Sequence, residues 1–232
     1  MNFSLGQPHR EMVVDALSEV EVLPRILPAP ESTPPWERAR ELVFLPHPPP
    51  SALEAVPFVF PSPRIRLSAK FAAYAAPSFA PRRPLLAALL DFTQRMRREF
   101  TYDPRATTLA THSEEVLASR RGVCQDFAQL QAACLRSLGL AARYVSGYLL
   151  TRPPPGKPKY VGADASHCWV SVFAPGLGWI DLDPTNGCFV ADEHITIAWG
   201  RDYNDVTPVK GVILGGGHQS IHVAVDVDPV TR

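Results

Sequence analysis

The placement of proline is the feature that most constrains the fold of this chain. Of 25 prolines in 232 residues, fifteen lie between Pro24 and Pro84. Proline lacks an amide hydrogen and also restricts the residue before it, so runs such as "LPHPPPS" and "FPSPR" interrupt regular helices. We therefore predict that residues 26–83 form an extended, turn-rich linker segment and that regular secondary structure lies on either side of it.

The stretch before this segment, "REMVVDALSEVEVLP", has the alternating apolar residues of one or two strands. Two strands alone are marginal in water. We therefore expect residues 1–25 to pair with the main domain, with another chain or with further sequence.

From Pro84 onwards the pattern first indicates helices. "PLLAALLDFTQRMRREF" places apolar residues at helical spacing behind a proline at the first position, and "THSEEVLAS" offers Thr111 or Ser113 as an N-cap. A third helix follows Cys124 and is expected to end at Gly139. Its predicted buried stripe consists of Phe127, Leu130, Cys134 and Leu138.

The pattern then changes to strands, in "ARYVSGYLL", "SHCWVSVFA", "GWIDLDP" and, near the end, "SIHVAVDVDPV". Helices followed by several strands are typical of the α+β class with an antiparallel sheet. We therefore predict an α+β fold with an antiparallel sheet.

Composition excludes several classes of protein. The formal net charge is zero, which argues against nucleic acid or an anionic membrane as the main partner. No apolar run is long enough to span a bilayer, and "MNFSLGQPHREM" lacks the regions of a signal peptide. The four cysteines form no C-x-x-C pair, so we expect free thiols and a cytoplasmic location.

Cys124 is the candidate nucleophile because it lies where a helix begins. The unpaired amides and the helix dipole at such a position favour a negative charge, which lowers the pKa of a thiol. The same amides can stabilise the oxyanion that forms when a thiolate attacks an acyl carbon. Gly122 is expected to let the preceding loop turn sharply. Cys134 lies on the buried stripe, where no chemistry is expected.

His167 is the best-placed base among the seven histidines. Strand alternation puts His167 and Trp169 on one face and Cys168 on the other, so Cys168 is interpreted as a buried packing residue. A short turn then leads to a strand on which Asp181 and Asp183 share a face. Either carboxylate can orient the imidazole, and spacing alone does not choose between them.

Two alternatives are weaker. His194 could be a rival base, but no carboxylate lies in an adjacent hairpin, so we interpret it as structural. A metal site built from Cys124, His167, Cys168 and Cys188 conflicts with the alternation of His167 and Cys168, and zinc spacing motifs are missing. An acidic calcium loop is also missing from the sequence, so we expect no cofactor and no metal.

Three motifs in fixed order resemble the bacterial transglutaminase-like family, whose members are often described as candidate cysteine proteases. They are "RRGVCQDFAQLQAACLRSLGLAARYVSGYL", "SHCWVSV" and "GWIDLDPTNG". The resemblance implies a papain-like core over residues 84–232, in which the helix that begins at Cys124 packs on the antiparallel sheet. It also implies that Cys124 is the nucleophile, His167 the base and Asp183 the orienting carboxylate. It also implies that residues 1–25 resemble the end of a β domain that precedes this core in longer relatives.

The expected function is cysteine-dependent acyl transfer on an amide or peptide bond of a peptide or protein, through a thioester on Cys124. Water as the acceptor makes such an enzyme a protease or amidase, and an amine makes it a transglutaminase. The alternative is a non-catalytic binding or scaffold module that retains the fold. A further alternative is an interaction protein whose N-terminal strands pair with a partner's sheet.

Overall fold

A computed structural model describes residues 4–7, 9–151, 165–212, 214–215, 220 and 222–230. These residues include six α-helices and seven strands. The helices are α1 (Trp36–Val43), α2 (Pro50–Leu53), α3 (Ala69–Ala75), α4 (Leu85–Glu99), α5 (Ser113–Ser119) and α6 (Cys124–Ser137). The strands are β1 (Thr101–Tyr102), β2 (Arg121–Gly122), β3 (Ala142–Leu149), β4 (Ala165–Ala174), β5 (Gly178–Asp183), β6 (Cys188–Phe189) and β7 (His194–Gly200). No helix in the described part of the chain is long and apolar enough to cross a membrane.

Five strands form the main sheet, in the order β6-β5-β4-β3-β7, and every neighbouring pair is antiparallel. The central pair β3 and β4 is in register over its whole length, with Val145 opposite Trp169. The pairing of β3 with β7 shifts between Ser146 and Gly147. The predicted α+β class with an antiparallel sheet is confirmed.

Helix α6 packs on β3 and β4 and forms the centre of the core. Three members of the predicted stripe, Phe127, Leu130 and Cys134, are buried, and Leu138 is partly buried. The helix is also covered on its other sides, because Gln131 is fully buried and donates to Thr93 Oγ1 of α4 at 2.8 Å. Gly139 has a φ of 85°, a left-handed conformation that favours glycine and ends the helix.

The proline-rich segment 26–83 is not an extended linker, and this conformational prediction was wrong. It holds α1, α2, α3 and several 3-10 turns, and its side chains Trp36, Ile65 and Phe71 lie in the main core. The prolines that enter these helices lie at N-caps or in first turns, as at Pro50, where the amide has no helical partner to lose.

Two predicted strands are also missing from the described residues. Residues 10–24 form no strand and expose apolar side chains such as Leu17. Residues 222–230 form no strand beyond one bridged residue, Val225. Alternation produces a strand only where a neighbouring strand accepts its hydrogen bonds, and the two sheets formed by the described residues include neither segment. The division into domains at 25/26 and 83/84 stays a prediction.

Candidate active site

Cys124 is the first residue of α6 and is partly exposed, as expected for a nucleophile at a helix start. The Asp126 carboxylate folds back over this first turn, where its Oδ2 accepts from the Val123 amide at 2.9 Å and from Thr107 Oγ1 at 2.6 Å. A Cβ atom on Gly122 would lie 2.8 Å from that oxygen. Glycine is therefore needed at 122 for space, rather than for the positive φ of a sharp turn.

His167 on β4 and Asp183 at the end of β5 form a buried pair. Their Nε2 and Oδ2 atoms are 2.7 Å apart, and Asp183 is fully buried. The other oxygen, Oδ1, accepts from the amides of Thr185 at 2.8 Å and Asn186 at 3.1 Å. The turn after β5 therefore holds the carboxylate, and the structure places Asp183, rather than Asp181, beside the imidazole.

Asp181 lies further along the same strand, opposite Ser171 in the register of β4 and β5. Burial raises the pKa of its carboxyl group, against the opposing effects of the Ser171 hydroxyl, the nearby Arg143 charge and the Trp169 indole. Asp181 therefore lies near Trp169, but the carboxylate hydrogen-bonded to His167 is that of Asp183.

The Cys124 thiol is strongly acidified by its surroundings. A hydrogen bond from the Cys168 thiol has the largest effect, burial opposes it, and the hydrogen bond and positive charge of His167 add to it, so that the pKa of Cys124 falls to about 5. The backbone amide of Gln125 contributes a further hydrogen bond. The thiolate is therefore the main form of Cys124 at neutral pH.

The pKa of His167 shifts upwards, in the opposite direction to that of Cys124. Burial alone would lower its pKa, but hydrogen bonds to Asp183 and Cys124, together with their negative charges, raise the pKa of His167 to about 9. The pKa of Asp183 stays well below its usual range, because the hydrogen bonds from His167 and His194 outweigh its burial. Since Nε2 faces Asp183, Nδ1 remains for Cys124, and the three side chains carry a thiolate, an imidazolium and a carboxylate at neutral pH.

Cys168 has a second role that alternation did not predict. Its side chain is buried in the core under α6, as expected for a packing residue. It also contacts the Cys124 thiol, and burial followed by this contact raises the pKa of Cys168 well above its ordinary value. Cys168 therefore stays a thiol and serves as a hydrogen-bond donor to Cys124.

His194 lies at the start of β7. The sequence predicted no carboxylate beside it, and this prediction was wrong. Its Nε2 lies 3.1 Å from Asp183 Oδ2, and the side chain is buried. The short connection between β6 and β7 takes the chain from one edge of the sheet to the other, and this crossing brings the two residues together. Local spacing contains no signal for such a contact.

The indole of Trp169 supports both imidazoles. Its ring centroid lies 5.3 Å from that of His194 and 6.1 Å from that of His167. A Cβ atom on Gly147 would come within 2.5 Å of the indole, so glycine on β3 leaves the space in which the ring lies. The face of β4 predicted from alternation is thus the face on which the histidines meet.

Among the described residues, the donor atoms of His167, Asp183 and His194 lie within 4.8 Å of one another. Such spacing is compatible with a metal site. Both imidazole Nε2 atoms already lie at hydrogen-bond distance from Asp183 Oδ2, however. We therefore interpret the trio as a hydrogen-bonded network.

The fold agrees with comparisons to known proteins. The family model of the transglutaminase-like superfamily core matches residues 72–184. An uncharacterised protein of Mycobacterium tuberculosis is 43% identical over 235 residues, covering 98% of this chain and 73% of that protein. The chain belongs to the transglutaminase-like superfamily.

Two further similarities cover smaller parts. A solved structure of a candidate cysteine protease from Cytophaga hutchinsonii matches 66% of this chain and 49% of that chain, with 27% identity and a TM-score of 0.55. A protein-glutamine gamma-glutamyltransferase of Pseudomonas aeruginosa is 34% identical over 102 residues, which are 44% of this chain and 15% of that protein. The chain thus spans about half of the solved relative and a small part of the transferase.

Proposed function

We propose that this protein is a cysteine-dependent enzyme that transfers the acyl group of an amide or peptide bond through a Cys124–His167–Asp183 triad. The observation that carries the proposal is the buried 2.7 Å contact between His167 and Asp183, with His167 in turn against a thiol at the start of α6. A similar family core and the candidate cysteine protease structure support this class of chemistry.

The first half of the reaction forms a thioester. The Cys124 thiolate attacks the carbonyl carbon, and the amides at the start of α6, including that of Gln125, stabilise the negative charge on the carbonyl oxygen. The His167 imidazolium then donates its proton to the leaving nitrogen, the C–N bond breaks, and the free amine departs. Asp183 keeps the imidazole oriented and stabilises its protonated form.

The second half regenerates the thiolate. Neutral His167 takes a proton from the acceptor, which attacks the thioester carbon and displaces Cys124. With water as acceptor the product is a carboxylic acid, as in a protease or amidase. With an amine the product is a new amide, as in a transglutaminase. The proposed substrate is accordingly a peptide or protein with an accessible amide.

Mass spectrometry of the Cys124 peptide tests this proposal. The protein is incubated with a peptide library, with and without an added primary amine, and quenched in acid to preserve thioesters. We expect an acyl adduct on Cys124 together with released acid or, with the amine, a new amide. Cys124→Ala should give neither.

The rival is a module that keeps the fold without turnover. Peptides that remain intact, with no adduct on Cys124 under any acceptor condition, would favour this scaffold and reject the enzyme. Products that persist in Cys124→Ala would show that they arise elsewhere.

A further inference from the structure

The carboxylate that orients His167 has a second imidazole bound to the same oxygen. Asp183 Oδ2 lies 2.7 Å from His167 Nε2, 3.1 Å from His194 Nε2 and 2.6 Å from Asn186 Nδ2. Proposed acyl transfer uses only the first of these contacts. Asn186 belongs to the turn that follows β5, but His194 arrives from the far edge of the sheet and has no local reason to be there.

The surroundings of His194 define which nitrogen carries its proton. The amide of Ala191 points at Nδ1 from 3.5 Å, so Nδ1 is the acceptor. A neutral imidazole with an acceptor at Nδ1 has its hydrogen on Nε2, where it can donate to the Asp183 carboxylate. The ring is held in this orientation by burial and by an edge-on contact with Trp169 at an interplanar angle of 88°.

We propose that His194 is a positioning residue that shares the Asp183 carboxylate with His167 and thereby sets how strongly His167 holds its proton. Each donor on Oδ2 disperses part of the carboxylate charge, so less of that charge stabilises the imidazolium. An imidazolium held less tightly is a stronger acid towards a leaving amine. The inference rests on the proposed roles of Cys124 and His167.

Among the described residues, the Cys124 thiol on α6 acts on His167 together with Asp183. Three further titratable groups lie near the Cys124 or Asp183 side chains, namely Cys168 on β4, Tyr144 on β3 and Cys188 on β6. Burial raises the pKa of Cys168, Tyr144 and Cys188, so these three are neutral at pH 7 to 9. The thiolate and the carboxylate are then the charges that act on His167 between these pH values.

Two alkylating reagents separate the relevant protonation states. Iodoacetamide is neutral, and its rate follows the Cys124 thiolate. Iodoacetate is negatively charged and is attracted by the imidazolium, so its rate should fall as His167 loses its proton at a pH of about 9. The ratio of the two rates against pH therefore reports on His167 without any need for turnover.

The informative variants are His194→Phe, which removes the donor, and His194→Gln, which keeps an N–H donor. The falling limb of the iodoacetate profile is the pH range over which the rate drops. In His194→Phe we expect this limb to move to higher pH by about half a pH unit to one pH unit. His194→Gln should return it towards the wild-type position. His47→Phe, at an exposed loop histidine, is the matched control and should leave the limb unchanged. A limb that stays in place or moves down in a folded His194→Phe protein overturns the inference.

A measurement on the unaltered protein keeps the inference testable if His194→Phe does not fold. Long-range ¹H–¹⁵N NMR spectra of the imidazoles should show the His194 hydrogen on Nε2. A hydrogen on Nδ1 would reject the shared carboxylate. If the limb shifts as expected while peptides remain intact, the proposed function fails and the role of His194 stands.

Discussion

Selective alkylation of Cys124 is the most direct consequence of the site's electrostatics. The pKa of Cys124 is about 5 and that of Cys188 about 11, while burial raises the pKa values of Cys134 and Cys168 above their ordinary range. At pH 6.5 about 97% of Cys124 is then thiolate, against roughly 3 × 10⁻⁵ of Cys188, a ratio of about 10⁴ to 10⁵. A less basic thiolate is also a weaker nucleophile, which offsets this ratio by roughly 10² to 10³ for six pKa units.

The net expectation is that iodoacetamide labels Cys124 roughly 10²-fold faster than Cys188 at pH 6.5. Burial protects Cys134 and Cys168 further. Peptide mapping by mass spectrometry over a time course gives the four rates, and the Cys124 rate should be half-maximal near pH 5. His167→Ala should raise this midpoint, because the thiolate loses its cationic partner. Comparable labelling of Cys124 and Cys188, or a wild-type midpoint near 8.5, would refute the reasoning.

Four further substitutions separate the contributions of individual contacts. Asp183→Asn should lower kcat by about 10² to 10⁴ in steady-state assays with the fold intact, whereas Asp181→Asn should leave kcat near wild type. A large loss of kcat in Asp181→Asn but not in Asp183→Asn would make Asp181 the orienting carboxylate. Cys168→Ala should raise the pH at which Cys124 is alkylated at half its maximal rate, because the hydrogen bond with the largest acidifying effect is lost. An unchanged midpoint would show that Cys168 does not influence Cys124. Gly122→Ala should lower the free energy of unfolding in urea by about 1–3 kcal/mol, because the new methyl group meets a capping carboxylate oxygen at 2.8 Å; an unchanged value would show that this turn relaxes freely.

The sequence was sufficient to predict the parts of the site that depend on local periodicity. The start of α6 at Cys124, the strand of His167 and the shared face of Asp181 and Asp183 all follow from helical or alternating patterns over a few residues. The choice between the two aspartates needed either the family resemblance or the register of β4 with β5. Periodicity specifies a face, whereas register specifies which residues on that face meet.

The contacts that sequence analysis missed depend on the order of strands in the sheet or on the shape of the core. His194 reaches Asp183 only because the chain crosses from β6 to the opposite edge of the sheet. Cys168 contacts Cys124 because its face of β4 lies under the first turn of α6, and alternation describes that face only as buried. The same limit applies to the proline-rich segment. Proline excludes helix interiors but permits first turns, and most of the short helices in 26–83 begin in this way.

Whether residues 26–83 belong to the same cooperative unit as the site can be tested at Ile65. This side chain is fully buried in the core that contains α6, and the backbone around the segment is tied to the start of α4 by hydrogen bonds from Trp36 to Arg83 and from Leu85 to Pro34. Ile65→Ala should therefore lower the free energy of unfolding in urea by about 2–5 kcal/mol, through lost burial and the cavity left behind. Leu67→Ala, two residues away at a side chain that is 38% exposed, is the matched control and should change it by no more than about 0.5 kcal/mol. Both variants should unfold in one transition with the wild-type m-value. If Ile65→Ala cost no more than Leu67→Ala, the segment would behave as the linker that its prolines first indicated, and the site would depend on the remaining helices and the sheet alone.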